Sequence, residues 1–237
     1  MPELGPRALL TLWEAGSTQD PLRRAVTLLA AAQDRPAAKA AEAAAVDVGT
    51  RDVLLAGCFR LVAGDKVPAC ADCPGCGVVL EVPVDVAAVA ALAVHEPGEQ
   101  LSVLVDGTEV PFRLPTTADL IALSGRPPDQ ARAALLAACL GTEPERTLGA
   151  ETEAAVEAAM EQAAPAGAID LLVCCPACGL DSPVPLDVPA LLWAEIGAQA
   201  SALMRDVHAL AARYGWTEAD VLDLSPRRRA IYLDLAG

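Results

Sequence analysis

Cys73-Pro-Gly-Cys-Gly-Val-Val-Leu-Glu-Val-Pro-Val-Asp-Val86 and Cys175-Pro-Ala-Cys-Gly-Leu-Asp-Ser-Pro-Val-Pro-Leu-Asp-Val188 align without a gap at an offset of 102 residues. Both obey the pattern C-P-x-C-G-x-x-x-x-V-P-x-D-V. A repeat of this kind reads as an internal duplication, with each unit a helix, a cysteine knuckle and a following helix. Cys58 and Cys139 lie in apolar, helix-like segments ahead of the two copies, at an offset of 81. The second unit therefore carries extra residues before its knuckle, and a helix over 148–164 would supply them.

C-x-x-C brings two thiolates onto one turn, and the glycine after the second lets the backbone fold beneath a metal with its N–H groups facing sulfur. One knuckle provides two ligands, whereas a closed structural zinc site needs four. The two knuckles are therefore expected to meet, with Cys73, Cys76, Cys175 and Cys178 holding one structural Zn2+ as in a zinc ribbon. The pairs are 98 residues apart. Closing a loop of that length costs about 4 kcal/mol, and structural zinc contributes on the order of 10 kcal/mol or more, so the metal prevails. A redox dithiol would precede a helix in a βαβ setting, which the sequence lacks. Cys70, Cys73 and Cys76 alone have no fourth cysteine nearby for a bacterial-type iron–sulfur run. Cys70 and Cys174 read as spare thiols, with exchange of Cys70 for Cys73 an open alternative. Cys58 and Cys139 read as buried core thiols.

Composition sets the rest of the frame. The chain has 237 residues and a formal charge of −15, and 54% of it is apolar but only 3% aromatic. Alanine-rich sequence favours helix, and strong acidity argues against general nucleic-acid binding. The first dozen residues lack the charged-then-apolar order of an export signal, and the apolar run Val86–Val94 is too short to cross a bilayer. Eight cysteines without such a signal point to a reducing, cytoplasmic setting.

Local signals predict an α+β, mostly helical chain. Asp20-Pro21 opens a helix to Ala32, and Thr50 reads as the cap of another through Ala63 with Val53, Leu54, Leu55, Ala56 and Leu61 on its apolar face. Pro36–Ala45 reads as helix or linker. Short strands flank the first knuckle, and 101–114 is a hairpin turning at Asp106-Gly107, with Pro111 marking an edge. Helices follow over 117–123 and 128–140, and a strand over 169–173. Asp187 caps a long helix to about Tyr214, Thr217 and Asp220 start a short one, and Pro226 opens the last. The expected organisation is an alanine-rich helical segment over 1–45, a first knuckle unit with the hairpin over 46–124, and a second knuckle unit with the C-terminal helices over 125–237.

The long helix carries a seam of Pro189, Trp193, Ile196, Ala200, Leu203, Val207, Leu210 and Tyr214, spaced for another helix of the same chain or of a partner. Trp193, Leu203, Val207, Tyr214 and Trp216, with Arg227, Arg228 and Arg229 at the start of the last helix, are the candidate partner-binding residues. Trp193→Ala is then expected to weaken binding without unfolding the chain. No catalytic constellation is evident: the two histidines, His95 and His208, are isolated, and Glu151, Glu153, Glu157 and Glu161 read as a solvated helix face. The expectation is a protein that is not an enzyme.

Asp170-Leu-Leu-Val-Cys-Cys-Pro-Ala-Cys-Gly179, Leu192-Trp-Ala-Glu-Ile196, Arg205-Asp-Val-His-Ala-Leu-Ala-Ala-Arg-Tyr-Gly-Trp-Thr-Glu-Ala-Asp220 and Leu224-Ser-Pro-Arg-Arg-Arg-Ala-Ile-Tyr-Leu233 together resemble the phage-type baseplate hub assembly chaperone family. The resemblance covers 169–235, is fainter over 46–120, and does not reach the first 45 residues. It implies a non-enzymatic role in building the baseplate or hub of a contractile phage tail or injection system, with baseplate or hub proteins as partners. The alanine-rich start and Cys70 depart from the pattern. A zinc-ribbon regulator or nucleic-acid-associated factor, with the arginine triplet as its contact, is the alternative.

Overall fold

The computed structural model of the chain describes residues 5–33, 40–142 and 149–236. In chain order it runs α1 (Pro6–Ser17), α2 (Pro21–Ala32), α3 (Ala40–Ala44), α4 (Val48–Ala63), β1 (Lys66–Asp72), β2 (Val79–Asp85), α5 (Val86–Ala90), β3 (Leu101–Val105), β4 (Thr108–Phe112), α6 (Thr117–Leu123), α7 (Pro128–Leu140), α8 (Ala150–Ala163), a 3-10 turn (Pro165–Gly167), β5 (Asp170–Cys174), β6 (Asp181–Pro185), α9 (Val188–Tyr214), α10 (Glu218–Leu222) and α11 (Pro226–Ala236). The architecture is α+β and mostly helical. The strands form three separate antiparallel hairpins, β1–β2, β3–β4 and β5–β6.

Capping chemistry accounts for most boundaries. The Asp20 carboxylate accepts from the Leu22 and Arg23 N–H groups at the head of α2, and Thr116 and Thr217 form capping boxes with Asp119 and Asp220. α4 starts earlier than the Thr50 reading allowed. Asp47 is its cap, accepting from the Thr50 N–H at 2.8 Å, so Thr50 lies inside the first turn. Of its expected apolar face Val53, Leu55 and Ala56 are buried, joined by Cys58 and Phe59, whereas Leu61 (70% exposed) and Leu54 face solvent. The packing of α2, α5 and α9 thus encloses the middle of the anticipated face and leaves its two outlying leucines bare. At the β3–β4 turn Asp106 and Gly107 both have positive φ, 50° and 77°, as the mirror-image two-residue turn demands. The Pro36–Ala45 reading falls partly, and the expected helix start at Leu148 wholly, outside the described residues.

The duplication is visible atom by atom. In the first copy the Cys73 N–H donates to Val78 O and the Gly77 N–H to Cys73 O; in the second, Cys175 and Gly179 donate to Leu180 O and Cys175 O, and the paired distances are identical at 2.9 and 2.8 Å. Gly77 and Gly179 turn at φ 73° and 72°. Asp85 and Asp187 then cap α5 and α9 through the Ala88 and Ala190 N–H groups. Upstream, α4 and α8 begin 102 residues apart, the same offset, but their surroundings differ: α4 packs on α5 and α9, and α8 on β3.

Two cores result besides the one at the knuckles. The body gathers Leu9, Leu28, Leu29, Leu55, Phe59, Val84, Val89, Leu192, Ile196 and Leu203, drawn from α1, α2, α4, β2, α5 and α9. A smaller lobe closes Phe112 and Leu114 over Leu136 of α7 and Val156 of α8. The lobe meets the body at the start of α4, where a Cβ on Gly49 would stand 2.7 Å from the Ala164 Cβ, so only glycine permits the approach. Beside it Arg51 and Asp52, each 7% exposed, are ion-paired at 2.6 Å, and Arg51 also donates to Thr117 Oγ1.

Candidate metal centre

The two knuckles meet tip to tip. The Sγ atoms of Cys73, Cys76, Cys175 and Cys178 all lie within 4.8 Å of one another, with Cys73 and Cys178 3.6 Å apart and Cys76 and Cys175 3.7 Å apart. A tetrahedron with metal–sulfur bonds of about 2.3 Å has edges of about 3.8 Å, so the four sulfurs stand where one tetrahedral ion would hold them. They are too far apart for disulfides, whose S–S bond is about 2.05 Å, and all eight cysteines are free. Sulfurs this close also leave no room for several irons bridged by sulfide.

The backbone completes the site. N–H groups of Ala177 and Cys178 point at the Cys175 sulfur, that of Leu180 at Cys178, and that of Val78 at Cys76. These donors disperse charge from thiolates, as a metal bound by four sulfurs requires. Burial opposes ionisation of Cys175, but those N–H groups and the neighbouring thiols draw it down to about 6. The Leu180 N–H favours the Cys178 thiolate, yet the crowding sulfurs of Cys175 and Cys73, together with burial, push it up to about 12. Without an ion, the cluster thus keeps protons that metal would displace.

Cys73 and Cys175 are buried, while Cys76 and Cys178 lie at the surface. Beneath them Leu80 and Val82 of β2 pack with Leu171 and Val173 of β5, forming the third small core. A Cβ on Gly75 would meet Leu180 Cδ2 at 2.9 Å, so glycine in the first knuckle lets the second lean across it. Cys70 and Cys174 stand outside the cluster and are exposed; the exchange of Cys70 for Cys73 is not realised. Burial raises the Cys58 thiol and pushes Cys139 up to about 11, leaving both as unreactive core groups.

The candidate docking residues separate into two sets. Leu203 is 4% exposed, and Val207 packs half-buried on the body core; the seam of α9 is intramolecular along most of its length. Trp193 lies against Gly16, where a Cβ would come within 2.6 Å of its ring, and the Arg24 guanidinium sits 4.5 Å from the ring centroid. Trp193 therefore joins α9 to α1 and α2, a packing role that the spacing of the apolar ridge did not reveal. Arg229 pairs with Asp206 of α9 at 3.0 Å and is 14% exposed, which docks α11. Arg227 and Arg228 are exposed. Tyr214 stacks on Trp216 at 4.8 Å, and Tyr232 meets Trp216 edge-on at 4.9 Å, with Tyr214 37% exposed.

Sequence reading overlooked the Arg51–Asp52–Thr117 cluster and the environment of His95. Glu99, four residues after His95, was the available signal, but the partners on α4 and α8 are remote in sequence. Glu153 and Glu157, taken as a solvated face, ion-pair with Arg132 of α7. No helix among the described residues is long and apolar enough to cross a membrane. Comparison of the chain with protein-family models, with curated proteins and with solved structures finds no match.

Proposed function

We propose that this chain is a non-enzymatic assembly factor whose two knuckle units are clasped by one structural Zn2+, and that it acts by binding a protein partner. The observation that carries the reading is the closed set of four sulfurs. Each corner of the tetrahedron is a protein thiolate, leaving no open position for water or substrate, as in structural rather than catalytic zinc sites. Four thiolates in tetrahedral array suit zinc or a single iron, and the reducing setting inferred from the sequence favours thiol ligation over disulfides.

For the partner, the resemblance over 169–235 to the phage-type baseplate hub assembly chaperones is the guide. It falls on the second knuckle and on α9 to α11, where Tyr214 and Trp216 stand at the far end of the long helix and Arg227 and Arg228 are exposed at the start of α11. The proposed partner is a baseplate or hub protein of a contractile tail-like particle, bound in the cytoplasm. The alternative, a zinc-ribbon regulator that contacts nucleic acid, is disfavoured by the charge of −15.

Purified protein analysed for metal is expected to contain one zinc per chain; iron, or a folded chain with none, would overturn the zinc assignment. Co-expressed with the tail proteins of a contractile system, the tagged chain is expected to retain a baseplate or hub component. Arg227→Glu with Arg228→Glu should weaken that retention at unchanged thermal stability. Capture of no tail component, or duplex binding that falls steeply with salt, would reject the assembly role.

A further inference from the structure

One imidazole lies on the seam between the body and the smaller lobe. His95, in the connection from α5 to β3, has a side chain only 16% exposed. Its backbone N–H donates to Thr50 Oγ1 in the first turn of α4 at 2.8 Å. Its ring sits between two acceptors: Nδ1 is 3.1 Å from Glu99 Oε2, and Nε2 is 2.9 Å from the carbonyl oxygen of Ala163. Glu99 in turn accepts from the Glu96 N–H, which fixes the carboxylate beside the ring.

Neither a carboxylate nor a carbonyl donates a hydrogen bond. A neutral imidazole has one N–H and satisfies one of these acceptors, while the imidazolium satisfies both. Ala163 is moreover the last residue of α8, where helix carbonyls lack intrahelical partners and the dipole favours a cation. The surrounding charge has the same sense. A cavity of about 300 Å³ beside the ring is lined by Glu96 and Glu99 from its own loop, Asp47 from the head of α4, and Arg113 from the segment after β4. Arg113 is held by both oxygens of Asp119 at 2.6 and 2.8 Å, so its charge is matched. α3 contributes Glu42 to an adjoining cavity shared with Pro97, and among the described residues α8 lines the cavity at His95 with no charged side chain.

We infer that protonated His95 is a latch between the two parts of the molecule: its backbone N–H ties it to α4 and its ring to the end of α8. When the ring loses its proton the Ala163 carbonyl and Glu99 compete for a single N–H, so the hold on α8 loosens. The Ala163 carbonyl, with Glu99 and Asp47, raises the basicity of the ring against the opposing effect of burial. For a base strengthened by folding, the contribution is complete below the ordinary imidazole value of about 6.5. It is lost as pH rises through the higher midpoint of His95 itself. The smaller lobe is then held less firmly in mildly alkaline than in mildly acidic solution. This latch is independent of the metal and of any partner.

Proton NMR tests it directly on the metal-loaded full chain, because the sequence holds only two histidines. His208, exposed on α9, gives the second signal. One imidazole resonance, identified by its loss in His95→Gln, is expected to titrate above 6.5 and to move down in Glu99→Gln. Amide exchange in the last turn of α8, corrected for intrinsic pH dependence, should quicken severalfold across that midpoint. His95→Gln, which keeps a donor for Ala163 at every pH, should abolish this dependence; if it fails to fold, Glu99→Gln should shift the midpoint of the exchange change downward. A His95 signal titrating at or below 6.5, or equal α8 protection on both sides of its midpoint, overturns the inference.

Discussion

Removing metal from the four-sulfur cluster tests how the tip of the molecule is held together, and the expected magnitude follows from what lies beneath the sulfurs. Leu80 and Val82 are 3% and 5% exposed, and burial of such side chains contributes roughly 1.5–3 kcal/mol each. Together they resist opening by roughly 3–6 kcal/mol. Two-stranded hairpins are marginal by themselves. The body braces only their far ends, where Val84 lies in its core with Val67 and Ala69 packed against it, so little else at the tip opposes separation. A structural ion adds about 10–16 kcal/mol, comparable to the entire stability of a domain at about 5–15 kcal/mol. In the loaded protein the amides at the knuckle ends of β1, β2, β5 and β6 should therefore exchange only through global unfolding. After chelation they should exchange through local opening, faster by on the order of a thousandfold. The body core of α1, α2, α4 and α9 uses neither knuckle, so helical circular dichroism and exchange in α4 should change little. Metal uptake at pH 7 should also release at least two protons per ion, since Cys76 and Cys178 are raised, and affinity should fall on acidification. Calorimetry in buffers of different ionisation enthalpy counts those protons. Hairpin amides equally protected with and without metal would refute the reasoning.

Two further predictions concern the body. Asp52→Ala leaves the buried Arg51 guanidinium without its carboxylate and should cost about 3–5 kcal/mol, whereas replacing the pair together by Met and Leu should cost far less; denaturant unfolding of the two variants beside the unaltered protein measures both, and equal losses would contradict the account. Trp193→Ala should lower stability by about 2–4 kcal/mol because α9 loses its contact with α1 and α2, and a thermal midpoint matching the unaltered protein would return Trp193 to the docking surface.

The knuckles, the 101–114 hairpin and the long helix were legible because their determinants are local. Asp187 caps Ala190 three residues away, Asp106-Gly107 sets its own turn, and a C-P-x-C-G sequence folds around its own cysteines. The meeting of the sulfurs was legible for a different reason: valence demanded four ligands, and the repeat supplied two pairs. What could not be read was the choice among faces. α4 carries apolar residues around much of its circumference, and only the arrival of α2, α5 and α9 determines that Leu55 is enclosed and Leu61 is bare. Trp193 and Tyr214 lie on one ridge of α9, but one is covered by residues nearly 180 positions earlier and the other is not. His95 depends on acceptors in α8 and α4, which no spacing rule connects.

The duplication also explains why the two halves are unequal in a useful way. Equivalent capping aspartates start helices of five and 27 residues, so one copy ends within the body and the other extends past it to carry Tyr214, Trp216 and α11. At the tip, Gly75 in one knuckle receives Leu180 from the other, whereas the corresponding positions exchanged by the repeat are Ala177 and Val78. Gly75 thus gives Leu180 room that the alanine of the second knuckle would deny it. Two copies of the second knuckle would set an alanine Cβ where leucine already lies 2.9 Å from the corresponding ideal position. Steric matching therefore disfavours joining two copies of the second knuckle. A metal ion at the four sulfurs would supply the strength of the union between the two unlike knuckles, and Gly75 lets Leu180 close beside it.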